Sequence, residues 1–130
     1  MNATPKLTKL ISILAVRDHQ KSRTYFEDIL GFTVDHADHD WIMLERDGAR
    51  IHLGNCPNDL PASEIGCHSC FATILVDHIE ELENEYTENG AIFRQHLTEK
   101  GNWRDFVIET PDGHTIVFGQ LPSQRSKNAS

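Results

Sequence analysis

The passage that decides the fold is Ile13-Leu14-Ala15-Val16, followed by Asp18, then Tyr25-Phe26, Ile29-Leu30 and Gly31, because its pattern recurs. About 60 residues later, Thr73-Ile74-Leu75-Val76 runs into Asp77 and then into Ile79, Leu82, Tyr86 and Gly90. Internal repetition constrains a whole architecture. Each passage reads as a strand, a capped helix and a glycine stop. The apolar residues fall at i, i+1, i+4 and i+5 in the first helix and at i, i+3 and i+7 in the second, which gives each one buried face. Asp77 followed by Glu80 has capping-box spacing, with the Asp77 carboxylate placed to accept from an orphan backbone N–H. Gly31 and Gly90 stand where a left-handed residue ends a helix.

The halves that follow also match. Met43-Leu44-Glu45-Arg46-Asp47-Gly48 before Ile51-His52-Leu53-Gly54 resembles Val107-Ile108-Glu109-Thr110-Pro111-Asp112-Gly113 before Ile116-Val117-Phe118-Gly119. Each reads as two strands joined by an Asp-Gly turn. With the extended runs Phe32 to His36 and Ala91 to Arg94, the chain spells βαβββ twice, over residues 8–54 and 67–121. Residues 55–66, rich in Pro, Asn and Ser, read as the linker, and residues 122–130 as a disordered tail. The expected fold class is α+β, a single domain over residues 1–121 in which two modules form a half-open curved mixed sheet with helices on its convex side. The concave side is expected to hold a ligand. A concave side filled as core is the alternative.

With 130 residues, 38% of them apolar, the chain has one domain's worth of core, and a disordered or collagen-like class is excluded. Twelve basic against twenty acidic residues leave a net charge of −8, which argues against a phosphate-tracking nucleic-acid binder. The acidity serves solubility or attracts a cationic ligand. Asp77, Glu80, Glu81, Glu83, Glu85 and Glu88 all belong to the second helix and its cap, so much of that charge is a solvated face. Three cysteines do not make a disulfide scaffold, and a cytoplasmic location is expected. The apolar run Leu10 to Val16 is too short to span a bilayer and lacks a small-residue cleavage site, so neither membrane insertion nor export is expected.

Val16-x-Asp18 leading to Ser22, Tyr25-Phe26 and Leu30-Gly31-Phe32, then Trp103-Arg104-Asp105-Phe106 leading to Thr110-Pro111-Asp112-Gly113-His114 and Phe118-Gly119-Gln120, give the chain a family likeness. It resembles the glyoxalase, bleomycin-resistance and extradiol-dioxygenase superfamily, also called the vicinal oxygen chelate superfamily, over roughly residues 8 to 121. The resemblance implies that enzymes of this family hold a divalent metal with four side chains, one from the first and last strand of each module. Carried over, those positions are Ile11, His52, Phe71 and Val117. Only His52 can donate a lone pair, and a lone His does not hold an ion that needs three or four ligands. The Lewis acid of the enzymatic members is therefore expected to be absent, with no other cofactor in its place. What the resemblance then implies is the metal-free bleomycin-resistance branch, which sequesters a drug rather than transforming it.

By strand alternation, Ile11, Ile13 and Ala15 share a face, as do Phe71, Thr73 and Leu75, and Thr115 with Val117; these faces would line the cavity. Leu14, Val16, Ile74, Val76, Ile116 and Phe118 would pack under the helices. Trp41 and Trp103 stand before matching strands. Relatives in the resistance branch place aromatic residues at similar points to stack flat rings of the drug, a contact worth about 1 kcal/mol beyond area burial. A core or dimer-contact role is the alternative. The expected ligand-binding set is Ile11, Trp41, His52, Phe71, Trp103, Arg104 and Val117, with Arg104 reaching either a ligand anion or a surface acid.

The expected partners are a small-molecule ligand, a cationic glycopeptide antibiotic of the bleomycin type, and a second copy of the chain, with no nucleic acid or membrane. The competing readings are a lyase or dioxygenase-like enzyme with a relocated metal or acid–base chemistry at His52, and a ligand-sensing module without catalysis. Cys67-His68-Ser69-Cys70, with Cys56 and His52, could form a zinc or dithiol site, or simply supply idle thiols. His36, His39, His78, His96 and His114 sit beside Asp or in turns and are expected at the surface.

Overall fold

A computed structural model describes residues 4–65 and 70–121. The expected tail at 122–130, and Cys67 and His68 of the thiol cluster, lie outside the described residues. The elements run β1 (Ser12–Val16), α1 (His19–Thr24), β2 (Thr33–Ala37), β3 (Trp41–Arg46), β4 (Ala49–Asn55), β5 (Cys70–Leu75), α2 (Ile79–Asn89), β6 (Ile92–Lys100), β7 (Trp103–Glu109) and β8 (Thr115–Gln120). They form two four-stranded sheets of the same topology, β1-β4-β3-β2 and β5-β8-β7-β6. In each sheet the first strand pairs parallel with the last, and the remaining pairs are antiparallel. The chain is thus a duplicated βαβββ unit of the α+β class.

Strand alternation divides each sheet as the apolar pattern requires. Leu14, Val16, Ile42, Leu44, Ile51 and Leu53 of the first sheet are buried, as are Phe106, Ile108, Ile116 and Phe118 of the second. Together with Phe26, Leu30, Ile79, Leu82 and Tyr86 from the helical segments they form one core. The alternate residues Ile13, Ala15, Trp41, Thr73 and Leu75 face outward on the sides away from the helices.

The two modules interlock through their helices. The Tyr25 hydroxyl donates to the Glu109 carbonyl at 2.7 Å and accepts from the Ile92 N–H at 3.0 Å. In the other direction, the Tyr86 hydroxyl donates to the Leu30 carbonyl at 2.9 Å. Arg46 donates to that same carbonyl at 2.8 Å and grips both carboxylate oxygens of Glu85 at 2.7 and 3.0 Å. Burial pushes both tyrosine hydroxyls up from their ordinary pKa, so they stay protonated donors.

Several local expectations are corrected. The Asp18 side chain does cap α1, accepting from Lys21 N–H at 3.0 Å, but the helix widens after Thr24 into a π-helical turn over Tyr25–Ile29. That extra residue per turn aims Tyr25 at the second module while Phe26 and Leu30 enter the core. The cap position of α2 is His78 rather than Asp77, and its side chain makes no capping bond. The two Asp-Gly turns also differ. Asp47 (φ 50°) and Gly48 (φ 91°) are both left-handed, a two-residue hairpin turn. Pro111 has its φ fixed by its ring and cannot do this, so the second loop is a residue longer and only Gly113 (φ 93°) is left-handed. The linker is partly structured, because a short helical turn at Ala62–Glu64 seats on that loop, with Ser63 N–H donating to the Asp112 carbonyl at 3.1 Å. His114 is not at the surface but 8% exposed, because the longer loop folds it back against Thr110 and Phe71.

Candidate functional site

The helix-free faces carry most of the residues singled out by the sequence. On the first sheet Ile13 pairs with His52, His52 with Met43, and Trp41 with Gly54, and Ile11 continues the outward row of Ile13 and Ala15. On the second, Thr73 and Val107 flank Val117, with Trp103 on the same face. Phe71, expected on that face, does not join them: the register shifts between Cys70 and Ala72, and its ring packs against the core and edge-on against the buried His114. Arg104 is a second exception. It alternates to the helix side of β7, where it donates to Glu80 at 2.7 Å and to the Gln120 side chain at 3.4 Å, with its side chain only 14% exposed.

The other five are therefore split between two sheets, Ile11, Trp41 and His52 on one and Trp103 and Val117 on the other. The reason is the shared core: both sheets turn their helix-packed faces toward it, so the open faces lie outside. Where the modules meet, the structure holds a cavity of about 110 Å³ lined by Phe32, Arg46, Ile74, Leu82 and Tyr86, and an open groove of about 540 Å³ lined by Lys21, Tyr25, Ile29, Ile92 and Pro111. None of the seven residues lines either of these two.

Each tryptophan lies on a glycine of the neighbouring strand. The Trp41 ring rests 3.3 Å from where a Cβ on Gly54 would stand, and a Cβ on Gly119 would overlap the Trp103 indole. At Gly119 a side chain would displace the indole, whereas at Gly54 the ring would have to give only slightly. Trp41 is 38% exposed and meets the His52 ring edge-on, 6.4 Å between centroids. Trp103 is half-buried, and its Nε1 donates to Asp105 at 2.8 Å. Beside Trp41, the Asp38 carboxylate accepts from the N–H groups of Asp40 and Trp41 and contacts His36 at 2.8 Å; these bonds, that to His36 foremost, hold its pKa down to about 2.

The four metal positions of the family carry Ile11, His52, Phe71 and Val117. Three of these side chains have no ligating atom, and Phe71 packs edge-on against His114, 5.6 Å between centroids. Among the described residues no group of three or more His, Cys, Asp or Glu is disposed to hold a metal ion. The side chains present do not fit the family's divalent metal. The Cys56 thiol is pushed up in pKa by burial and by Asp59, which disfavours the thiolate. No helix among the described residues is long and apolar enough to cross a membrane.

Sequence reasoning did not find Gly54, Gly119 or Asp105. The partnership of a tryptophan with a glycine depends on cross-strand register, which no local pattern states.

The family described as the glyoxalase/bleomycin resistance protein/dioxygenase superfamily matches residues 8–118. The chain belongs to that superfamily. Within the glyoxalase/bleomycin resistance protein/dioxygenase superfamily, it is 32% identical over 127 residues to a bleomycin resistance protein of Geobacillus stearothermophilus, covering 85% of this chain and 94% of the relative. The bleomycin resistance protein of Staphylococcus aureus gives the same figures. Among solved structures it is similar to the bleomycin-binding protein of Streptomyces verticillus complexed with copper(II)-bleomycin, with TM-score 0.73 and 19% identity over 88% of this chain and 97% of that one. A bleomycin resistance determinant encoded on the transposon Tn5 matches with TM-score 0.72 and 16% identity over 88% and 98% of the two chains. At these identities the structures establish the superfamily fold.

Proposed function

We propose that this protein binds a bleomycin-type glycopeptide antibiotic and sequesters it without transforming it, as a cytoplasmic homodimer built from one domain over residues 1–121. The observation that carries this reading is the replacement of three of the four metal positions by Ile11, Phe71 and Val117, of which Ile11 and Val117 lie on the same open faces that present Trp41 and Trp103. An apolar, aromatic surface with a few polar groups retains a ligand but supplies no Lewis acid to turn it over. The relatives named as bleomycin resistance proteins support the ligand class.

The proposed contacts are Ile11, Trp41 and His52 on the first sheet and Trp103 and Val117 on the second; Phe71 leaves the set because the core and His114 take up its ring. Arg104 leaves the set because Glu80 already engages its guanidinium. The carboxylate of Asp38 next to Trp41 supports a cationic ligand, both by its field and by strengthening cation attraction at the ring. A second copy is supported by the apolar residues on the open faces, Ile13 at 62% and Leu75 at 49% exposure.

Titration with bleomycin, followed by tryptophan fluorescence, tests the reading. A saturable change is expected, with Trp41→Ala and Trp103→Ala each weakening binding about 5- to 30-fold. Absence of any saturable change at high-micromolar bleomycin refutes it.

A further inference from the structure

Both tryptophans lie on a glycine of the following strand, but from different registers and held differently: Trp41 pairs directly with Gly54, whereas Trp103 reaches Gly119 from two residues along β7, Asp105 being that glycine's partner. Trp103 is clamped on two sides. Beneath it lies Gly119, whose Cα leaves no gap between ring and strand. At its edge Asp105, two residues along on the same face of β7, accepts the Nε1 hydrogen through one carboxylate oxygen at 2.8 Å. The other oxygen of Asp105 accepts from Gln95 at 3.0 Å and from Thr98 at 3.3 Å, both on the neighbouring strand β6. Gln95 and Thr98 also bond to each other at 3.1 Å, which closes the network. The tryptophan of the first module has no such clamp. The place opposite the glycine that Asp105 holds in the second module is taken in the first by Trp41 itself, and the Trp41 Nε1 makes no hydrogen bond to any described residue.

We infer that Asp105 and Gly119 are positioning residues that fix Trp103 as a pre-set stacking platform, whereas Trp41 is the adaptable ring that settles on the ligand after contact. This deepens the proposed function and rests on that reading for its ligand. The physical reason is ordering entropy: a ring already immobilised in the free protein loses little freedom when a flat ligand group stacks on it. The Trp41 ring, with a glycine beneath it and His52 edge-on but no bond at Nε1, must still be ordered. Neither Asp105 nor Gly119 needs to touch the ligand; both act through the indole.

The test uses the full chain. In a Trp41→Phe background, the fluorescence anisotropy decay of Trp103 in the ligand-free protein reports the mobility of that one ring. Asp105→Ala is expected to add fast local motion, and Asp105→Asn, which keeps an oxygen acceptor for Nε1, to restore the wild-type decay. With Trp41 present, Asp105→Ala is expected to weaken bleomycin binding about 3- to 10-fold, and Asp105→Asn to bring it back within about 2-fold. If Asp105→Ala does not fold, the pair Gln95→Leu and Thr98→Val removes the props behind the carboxylate while keeping the bond to Nε1, and the same loosening in smaller measure is expected. An unchanged decay in these variants overturns the inference, as does a loosened ring with unchanged affinity. Should wild-type protein show no saturable bleomycin binding, the proposed function falls, while the decay in the free protein still decides whether Asp105 fixes the ring.

Discussion

At the scale of single residues, the two indole–glycine contacts predict unequal tolerance. Gly119→Ala forces the Trp103 ring off its strand and is expected to cost about 1–3 kcal/mol of stability, as overpacked sites do, whereas Gly54→Ala requires Trp41 to give by a few tenths of an ångström and is expected to cost less than about 1 kcal/mol. Urea unfolding midpoints of the two variants check the order. His114 supplies a pH prediction. Its pKa is lowered from 6.5 chiefly by burial, and Asp112 opposes the shift. The unfolded chain therefore takes up a proton before the native protein does. Stability is full above pH 6.5 and falls as the pH drops from there through the lower native value. Urea midpoints measured across that window are expected to decline toward acid, and His114→Gln to flatten the decline; an unchanged slope in the variant contradicts the assignment. The burial of His114 was not legible in the sequence, where a histidine after Asp-Gly reads as part of an exposed turn. Only the longer loop imposed by Pro111 turns it inward.

At the scale of elements, the helices are where the modules hold each other. Tyr25 is placed by the π-helical turn so that one hydroxyl serves a carbonyl on β7 and an N–H on β6. Tyr25→Phe keeps the ring and strands both groups, and is expected to lower stability by about 1–2 kcal/mol in equilibrium denaturation. Arg46 does the converse from the end of β3, tying α2 and the end of the π turn to the first sheet. Arg46→Met is expected to cost about 1–2 kcal/mol, a figure reduced for the partial exposure of the Glu85 partner and smaller still in 1 M salt. The apolar spacing of both helices was readable in advance, because a buried face at helical period needs only the order of residues. The π turn was not, since Tyr25, Phe26, Ile29 and Leu30 satisfy an α-helical face equally well. The same limit explains Arg104. Its place beside Trp103 suggests a shared site, yet neighbours on a strand face opposite ways, and Glu80 on α2 sets its partner.

At the scale of the whole molecule, the outward apolar faces predict self-association. Sedimentation velocity is expected to show a dimer, and Ile13→Glu, which places a charge on an already exposed position, to shift it toward monomer while leaving the monomer folded. A wild-type chain that stays monomeric across micromolar concentrations speaks against a homodimer. The sequence by itself determined the duplication, the βαβββ order, the split of each strand into a helix-facing and an open side, and the absence of ligating atoms at Ile11, Phe71 and Val117. These depend on residue identity and on periods of two and 3.6, which are local. The tertiary structure alone decided that the open faces lie on two separate sheets around one core, that Trp41 and Trp103 rest on Gly54 and Gly119, and that Asp105 holds only the second of them. Those outcomes depend on strand register and on which module each helix packs against, distances through space that no spacing along the chain contains.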